Sequence, residues 1–289
     1  MRAFTISLAA TAVALLAACA GEPDVSEPQA VELDPAERLQ AVIDDPRRDE
    51  ARARDAFRNP AQTLAFFEIA PGQRVGEIWP GSYAGILAPY FQEVGGTYVA
   101  VLFPDAMGER MAARAAAFRD AHAGAQADGA VEFGTFGFAN GQSLGEIAPE
   151  GSLDALLTFR NVHSFMGRGF ADEAFAEFYA ALKPGGILGV VQHRLPESRV
   201  QDPQGGTGYV QESYVKDLAA RAGFEFVESS EVNANPLDTA DHPLGVWTLP
   251  PASRTPEPGD TAYADFRPDL YRNIGESDRM TLKFRKPAE

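Results

Sequence analysis

Three neighbouring side chains in this sequence combine types that could bind and deprotonate a small molecule: Arg160, Asn161 and His163. A guanidinium and a carboxamide give directed hydrogen bonds, and an imidazole has a near-neutral pKa that suits a general base. A purely structural role is the alternative. In that case Arg160 and Asn161 bind backbone carbonyls, and His163 packs with its hydrogen bonds made inside the protein. The segment is thus predicted to be either a catalytic loop or a braced loop.

His193 and Arg194 form a second polar pair, for which substrate contact and a structural salt link are equally open. The spacing of these histidines and His242 matches no compact metal-ligand motif, so we predict no metal site. The sequence also lacks a nucleophile elbow with a Ser-His-Asp order, a phosphate-binding glycine-lysine loop and a paired-carboxylate signature. Hydrolase and nucleotide-triphosphatase functions are therefore left without support.

The elements that must position these side chains alternate between strands and helices. Apolar runs predict seven strands, at 74–79, 97–103, 131–133, 154–159, 187–193, 224–229 and 280–284. Helices are predicted between them, at 82–92, 106–122, 172–182 and 212–222. This alternation is typical of an α/β fold with a mostly parallel sheet and helices on both faces. The last strand follows the sixth without a strong helix between them, which predicts an antiparallel strand at the sheet edge.

Two further regions frame the predicted sheet. Asp34 followed by Pro35 is typical of a helix N-cap with proline at the first helical position, and it opens a helical region over 34–70. The segment 232–278 holds seven prolines. A loop of that length usually works as a lid or a binding loop.

The N-terminus has the composition of an export signal. Residues 1–19 combine an early positive charge with a small and apolar run, and they end in a lipobox-like sequence at Cys19, the only cysteine. Lipidation of Cys19 is therefore predicted, with an acidic tether over 20–33 and one domain over 34–289. We expect an exported protein, held at the cell envelope by its lipid alone and facing the periplasm.

Charge restricts the possible partners of the chain. It carries 25 basic and 41 acidic side chains, a formal net charge of -16, which disfavours nucleic acid as a partner. The basic residues near the C-terminus are more typical of one solvated strand face than of a binding patch. They are Arg279, Lys283, Arg285 and Lys286.

Several segments, in this order, resemble a bacterial family of predicted class I S-adenosylmethionine-dependent methyltransferases: FEIAPGQRVGEIWPGSYAGILAPY, GGTYVAV, LLTFRNVHSF, LKPGGILGVVQHR, AARAGFEFV, NANPLD and SDRMTLKFRKP. The resemblance extends over 58–287. It implies the Rossmann-like class I methyltransferase fold, S-adenosylmethionine as cofactor and a small-molecule acceptor. It also implies that the loop at 160–163 and the rim at His193 and Arg194 face the acceptor.

The resemblance places the cofactor at the loop after the first strand, with Glu77, Pro80, Gly81 and Ser82 as contacts. Gly81 matches the middle glycine of the family's loop. Trp79 and Tyr83 stand where that loop has glycine, and the loop is shortened.

After the second strand, Asp105 is the expected partner of the ribose hydroxyls. A helix N-cap is an equally open role for it. Two hypotheses follow: a methyltransferase for a small acceptor, or a catalytically inactive lipoprotein that uses the same fold to bind another ligand or an envelope partner.

Overall fold

The computed structural model describes residues 34–288, so the predictions for the export signal, Cys19 and the tether lie outside the described residues. The first helix, α1 (Pro35–Ile43), begins as predicted. The Asp34 carboxylate accepts hydrogen bonds from the backbone N–H groups of Ala36 and Glu37, at 2.8 and 2.9 Å, and the Glu37 carboxylate accepts one from the Asp34 N–H. This capping box fixes where the helix starts.

The rest of the N-terminal region consists of short helices that lead to the sheet: α2 (Asp49–Arg52), α3 (Asp55–Arg58) and α4 (Pro60–Phe66). Asn59 separates the last two in a left-handed conformation, with φ of 39°. This break turns α3 and α4 relative to each other and leaves Arg58 buried at the turn.

Seven long strands form the sheet: β1 (Arg74–Ile78), β2 (Thr97–Leu102), β3 (Val131–Thr135), β4 (Leu153–Phe159), β5 (Leu182–Leu195), β6 (Glu225–Ser230) and β7 (Arg279–Arg285). Their order is β3-β2-β1-β4-β5-β7-β6. The first five pair in parallel, whereas β7 runs antiparallel to β5 and to β6. The antiparallel last strand is confirmed, but it lies between two strands rather than at the edge.

Helices cover both faces of the sheet: α5 (Ala84–Val94), α6 (Glu109–Ala121), α7 (Ala123–Ala127), α8 (Val162–Gly167), α9 (Ala171–Ala181), α10 (Glu212–Ala222) and α11 (Pro268–Ile274). Successive strand residues point to opposite faces. On β4, Leu156 therefore packs in one core cluster while Ala155 and Leu157 pack in the other. Two apolar layers result, as an α/β sandwich requires.

The strand order reverses between β1 and β4. Because β1 leads to β2 on one side and β4 leads to β5 on the other, the loops after β1 and β4 diverge and leave a crevice at the carboxyl ends of these strands. The segment 232–278 crosses this end of the sheet and includes the 3-10 turn Gly245–Thr248 and α11. Within 34–288 no helix is long and apolar enough to cross a bilayer.

Candidate functional site

A cleft of about 320 Å³ opens at this crevice. One wall is the loop after β1, the opposite wall is the loop after β4, and the floor includes His193 and Arg279. Val246, Trp247 and Leu249 from the segment 232–278 also line it. Its volume is at the lower end of the range for small-molecule sites.

Two aromatic side chains of the loop after β1 form walls of the cleft and leave its centre open. Trp79 donates a hydrogen bond from Nε1 to the Phe136 carbonyl, at 2.9 Å, and its ring stacks on Phe103 with centroids 4.4 Å apart. The Tyr83 ring stacks on Phe159 with centroids 4.0 Å apart, and its hydroxyl donates a hydrogen bond to the Arg58 carbonyl, at 3.0 Å. Both rings are buried, are anchored by the protein itself and line the cleft.

Gly81 supplies the open part of the same loop. A Cβ placed on Gly81 would lie 3.8 Å from the Arg160 Nη2 atom across the cleft. The space beside Gly81 is therefore bounded by the Arg160 guanidinium, while the exposed backbone of Gly81 stays accessible from the rest of the cleft.

Glu77 and Ser82 of this loop already have hydrogen-bond partners within the protein. The Glu77 carboxylate accepts hydrogen bonds from the Gly81 N–H, at 3.0 Å, and from the Tyr98 hydroxyl, at 2.6 Å. Burial raises the pKa of Glu77, because the site lacks water to solvate a charged carboxylate. The Ser82 hydroxyl accepts a hydrogen bond from the guanidinium of Arg58. Glu77 and Ser82 line the cleft and at the same time hold the loop in shape.

Pro80 and Asp105 lie outside the cleft, although the sequence predicted both as cofactor contacts. Pro80 is buried, and its carbonyl accepts a hydrogen bond from Arg114. Asp105 is exposed at the start of the 3-10 turn Asp105–Met107. It does not cap α6 either, because that helix begins at Glu109 after a glycine that turns the chain with φ of 112°.

Asn161 has the structural role predicted for a braced loop, whereas Arg160 faces the cleft. Asn161 braces the loop, since its Nδ2 donates to the Ile78 carbonyl at 3.0 Å and to the Thr158 hydroxyl at 3.3 Å. The Arg160 side chain lines the cleft and makes no hydrogen bond or ion pair within residues 34–288. Burial and the neighbouring Arg279 lower the pKa of Arg160 to about 10, which leaves it protonated at neutral pH.

His163 is held as a neutral hydrogen-bond donor. The Gln192 carboxamide accepts from the Val162 N–H and donates to the Gly208 carbonyl, so its second N–H points to His163 Nδ1, at 3.2 Å. Nδ1 is thus an acceptor, and the ring hydrogen is on Nε2. Burial lowers the pKa of His163 to about 4. The predicted role of general base therefore has no free lone pair to use in this arrangement.

His193 and Arg194 point to different surroundings. His193 lines the cleft, and its Nδ1 lies 2.5 Å from the Ser277 hydroxyl oxygen. Arg194 lies outside the cleft and binds Asp278 at 2.8 and 2.9 Å and Glu231 at 2.7 and 2.8 Å. Of the two roles open for Arg194, the structure contains the salt link.

Sequence reasoning missed the charged cluster beside the floor. Arg279, expected on a solvated face, is buried because β7 lies inside the sheet. Its guanidinium and those of Arg54 and Arg58 all bind the carboxylate of Glu276.

No group of three metal-ligating side chains that could hold an ion occurs among the described residues. His242 lies away from the cleft and pairs with the buried Asp238, at 2.8 Å, which also accepts from the Tyr209 hydroxyl. This network joins the segment 232–278 to Tyr209 in the rest of the domain.

No protein-family model and no curated protein matches the chain in sequence. Among solved structures, the [4+2]-cyclase SpnF is similar, with a TM-score of 0.50 and 17% identity over 80% of this chain and 81% of that chain. An S-adenosylmethionine-dependent methyltransferase from Mesorhizobium loti has a TM-score of 0.44, with 14% identity over 78% and 95% of the two chains. A methyltransferase of the same kind from Aquifex aeolicus has a TM-score of 0.45, with 19% identity over 70% and 94%. The predicted Rossmann-like α/β fold is confirmed; a shared fold does not fix an activity.

Proposed function

We propose that this protein is an S-adenosylmethionine-dependent methyltransferase for a small acceptor. The observation that carries the proposal is the open cleft at the carboxyl ends of β1 and β4, with Gly81 on one wall and Arg160 on the other. In folds of this order, ligands bind where the strand order reverses. The cofactor would supply a methyl group on a sulfonium, so the chain has only to bind and orient the two partners.

The cleft fits this cofactor at the loop after β1 and lacks one expected partner. Gly81 leaves its backbone accessible, and Glu77 fixes that backbone by accepting the Gly81 N–H. For the ribose hydroxyls, the cleft offers no free carboxylate among the described residues, because Asp105 lies outside it and Glu77 and Glu276 are already bound.

His163 orients the acceptor in this proposal instead of removing its proton. Its Nδ1 is held by Gln192, and its pKa of about 4 keeps the ring neutral at physiological pH. Transfer would therefore show no inflection near pH 6.5, the usual pKa of histidine. A pH–rate profile between pH 5.5 and 8 measures this, and an inflection that disappears in His163→Asn would return the role of base to His163.

Calorimetric titration of the purified full chain with S-adenosylmethionine, and with its demethylated product S-adenosylhomocysteine, tests the proposal. We expect saturable binding of both, weakened roughly tenfold or more in Gly81→Leu, because the leucine side chain would occupy the cleft. Gly85→Leu is the matched control, since Gly85 is exposed on α5 and outside the cleft. Absence of heat with both ligands at millimolar concentration contradicts the proposal.

A second candidate is a ligand-binding protein without transferase activity on the same fold. The missing ribose carboxylate favours it, together with the stacked Trp79 and Phe103 that narrow the cleft on the β2 side. The same titration separates the two candidates, because this one predicts no binding of either sulfur compound.

The segment 232–278 is proposed to act as a lid over the cleft, supported by the contacts of Val246 and Trp247 with it. The chain has two tryptophans, Trp79 and Trp247, and both line the cleft. Binding should change tryptophan fluorescence, and Trp247→Phe should remove the part of the change that belongs to the lid. An unchanged signal in this variant argues against movement of the segment.

Export and lipid anchoring through Cys19 are also part of the proposal, supported by the lipobox-like sequence at 16–19. Labelled palmitate fed to expressing bacteria should be incorporated into the wild-type chain. Cys19→Ala should carry no label and should leave the membrane fraction. Label on the alanine variant would contradict the assignment.

A further inference from the structure

The charged cluster beside the floor of the cleft carries more positive than negative charge. Arg54 and Arg58 bind the Glu276 carboxylate through their Nε atoms, at 2.6 and 3.1 Å, and Arg279 binds it through Nη2. Three guanidinium groups thus share one carboxylate. Arg58, Arg279 and Glu276 have side chains at most 5% exposed, so water screens the surplus only weakly.

Arg160 adds a fourth cation from the opposite wall. Its guanidinium has no hydrogen bond or ion pair with any side chain or carbonyl of residues 34–288, and its Nη2 atom lies 3.8 Å from the position that a Cβ of Gly81 would take. Its backbone has φ of 62°, a left-handed conformation that costs free energy for a residue other than glycine. The chain therefore holds this side chain in the cleft despite local backbone strain.

Two further donors in the same corner lack partners. Arg58 Nη2 and Arg279 Nε are buried and have no hydrogen-bond acceptor in the described part of the chain. Arg58, Arg160 and Arg279 meet at a void of about 10 Å³ behind the cleft, which holds one water at most. A larger anion must lie in the cleft itself, which Arg160 and Arg279 both line.

Besides Glu276, Glu77 is the acidic side chain that lines the cleft, and its burial raises its pKa, which disfavours the charged carboxylate. His163 and His193 are kept neutral, because burial lowers the pKa of each. Glu77 is committed to Gly81 and Tyr98. A bound ligand is the remaining source of a counter-charge.

We propose that the corner formed by Arg160 and Arg279 binds a carboxylate or phosphate group of the molecule that occupies the cleft. Buried cations without partners are costly, and a bound anion recovers that cost. Guanidinium groups also match the planar geometry of these anions through paired hydrogen bonds. The inference rests on the proposed function only where it identifies the bound molecule. If the protein is a methyltransferase, the anionic group belongs either to the acceptor or to the cofactor, whose carboxylate has the same chemistry.

Calorimetric titration of the full chain with inorganic phosphate tests the inference. We expect saturable binding to wild type that is roughly ten- to a hundredfold weaker in Arg160→Met, the loss of a charge-assisted hydrogen-bond pair. Arg110→Met is the matched control, because Arg110 is exposed on α6 and outside the cleft, and its affinity should equal that of wild type. Arg160→Lys keeps the charge without the planar fork and should give an intermediate affinity.

Repeating the phosphate titration with saturating S-adenosylhomocysteine distinguishes the two sources of the anion. Unchanged phosphate affinity assigns the corner to the acceptor, and competition assigns it to the carboxylate of the cofactor. If S-adenosylhomocysteine does not bind but phosphate binding still requires Arg160, the methyltransferase proposal fails and the anion site stands. Equal phosphate binding by wild type and Arg160→Met, or none by wild type at millimolar concentration, overturns the inference.

Discussion

Arg160 and Arg194 stand at the ends of the neighbouring strands β4 and β5 and differ in what surrounds them. Arg194 has two carboxylates, from Asp278 and Glu231, and makes four hydrogen bonds with them. Arg160 has none within the described residues, and its nearest charged neighbours include Arg279. The same residue type at equivalent ends of two strands is thus saturated in one place and unsaturated in the other. The difference separates a structural salt link from a site that awaits a ligand.

The largest expected effect comes from removing the Glu276 carboxylate, which offsets part of the positive charge near Arg160. Glu276→Gln leaves the buried guanidinium groups of Arg58 and Arg279, and the half-buried one of Arg54, without this counter-charge, so we expect the free energy of unfolding to fall by about 3–5 kcal/mol. Urea denaturation measures it. Glu231→Gln is the control on the saturated side, where the exposed carboxylate should contribute about 1 kcal/mol or less. Equal losses in the two variants would remove the contrast between the sites.

The pH dependence of stability tests the neighbourhood of Arg160 next. The folded-state pKa of His163 is about 4, below the usual 6.5, so the unfolded chain binds the proton first as the pH falls. This contribution is complete above pH 6.5, is lost between about pH 6.5 and 4, and amounts to up to about 3 kcal/mol. Denaturation at pH 7.5 and 4.5 should show a smaller difference for His163→Asn than for wild type. An identical difference would contradict the burial of a neutral ring.

Replacing each arginine by methionine should change stability in opposite directions. Arg194→Met leaves Asp278 without its partner and should cost about 2 kcal/mol. Arg160→Met removes a half-buried charge that makes no hydrogen bond or ion pair within the described residues, and it should increase stability by about 1 kcal/mol. Denaturation in phosphate-free buffer measures both. Two changes of the same sign would mean that Arg160 is paired in a way the structure does not contain.

The smallest effect is expected at Asp105. Its side chain is exposed and outside the cleft, so Asp105→Asn should change the free energy of unfolding by less than about 0.5 kcal/mol. The affinity for S-adenosylhomocysteine should not change either. A clear loss of affinity in calorimetry would restore the predicted contact with the ribose.

The sequence allowed the scaffold to be predicted because each element carries a local signal. The predicted strands all occur, and Asp34 caps α1 through the expected contacts with its own first turn. The rim at His193 and the loops at Gly81 and Asn161 also line the predicted cleft.

Pairing between distant side chains left no such signal. Arg194 and Arg160 look alike in sequence, since the partners of Arg194 come from positions far along the chain. Arg279 was expected to be solvated, because nothing local indicates that β7 enters the sheet between β5 and β6. At Asp105 the chain forms a 3-10 turn, and Gly108 delays the start of α6 to Glu109, so Asp105 does not cap that helix.

The most direct measurement is anomalous diffraction from crystals of the protein soaked in arsenate, a phosphate analogue with a strong anomalous signal. We predict a peak in the cleft, within hydrogen-bond distance of the guanidinium groups of Arg160 and Arg279. Peaks confined to the outer surface, with none at these two side chains, would contradict it.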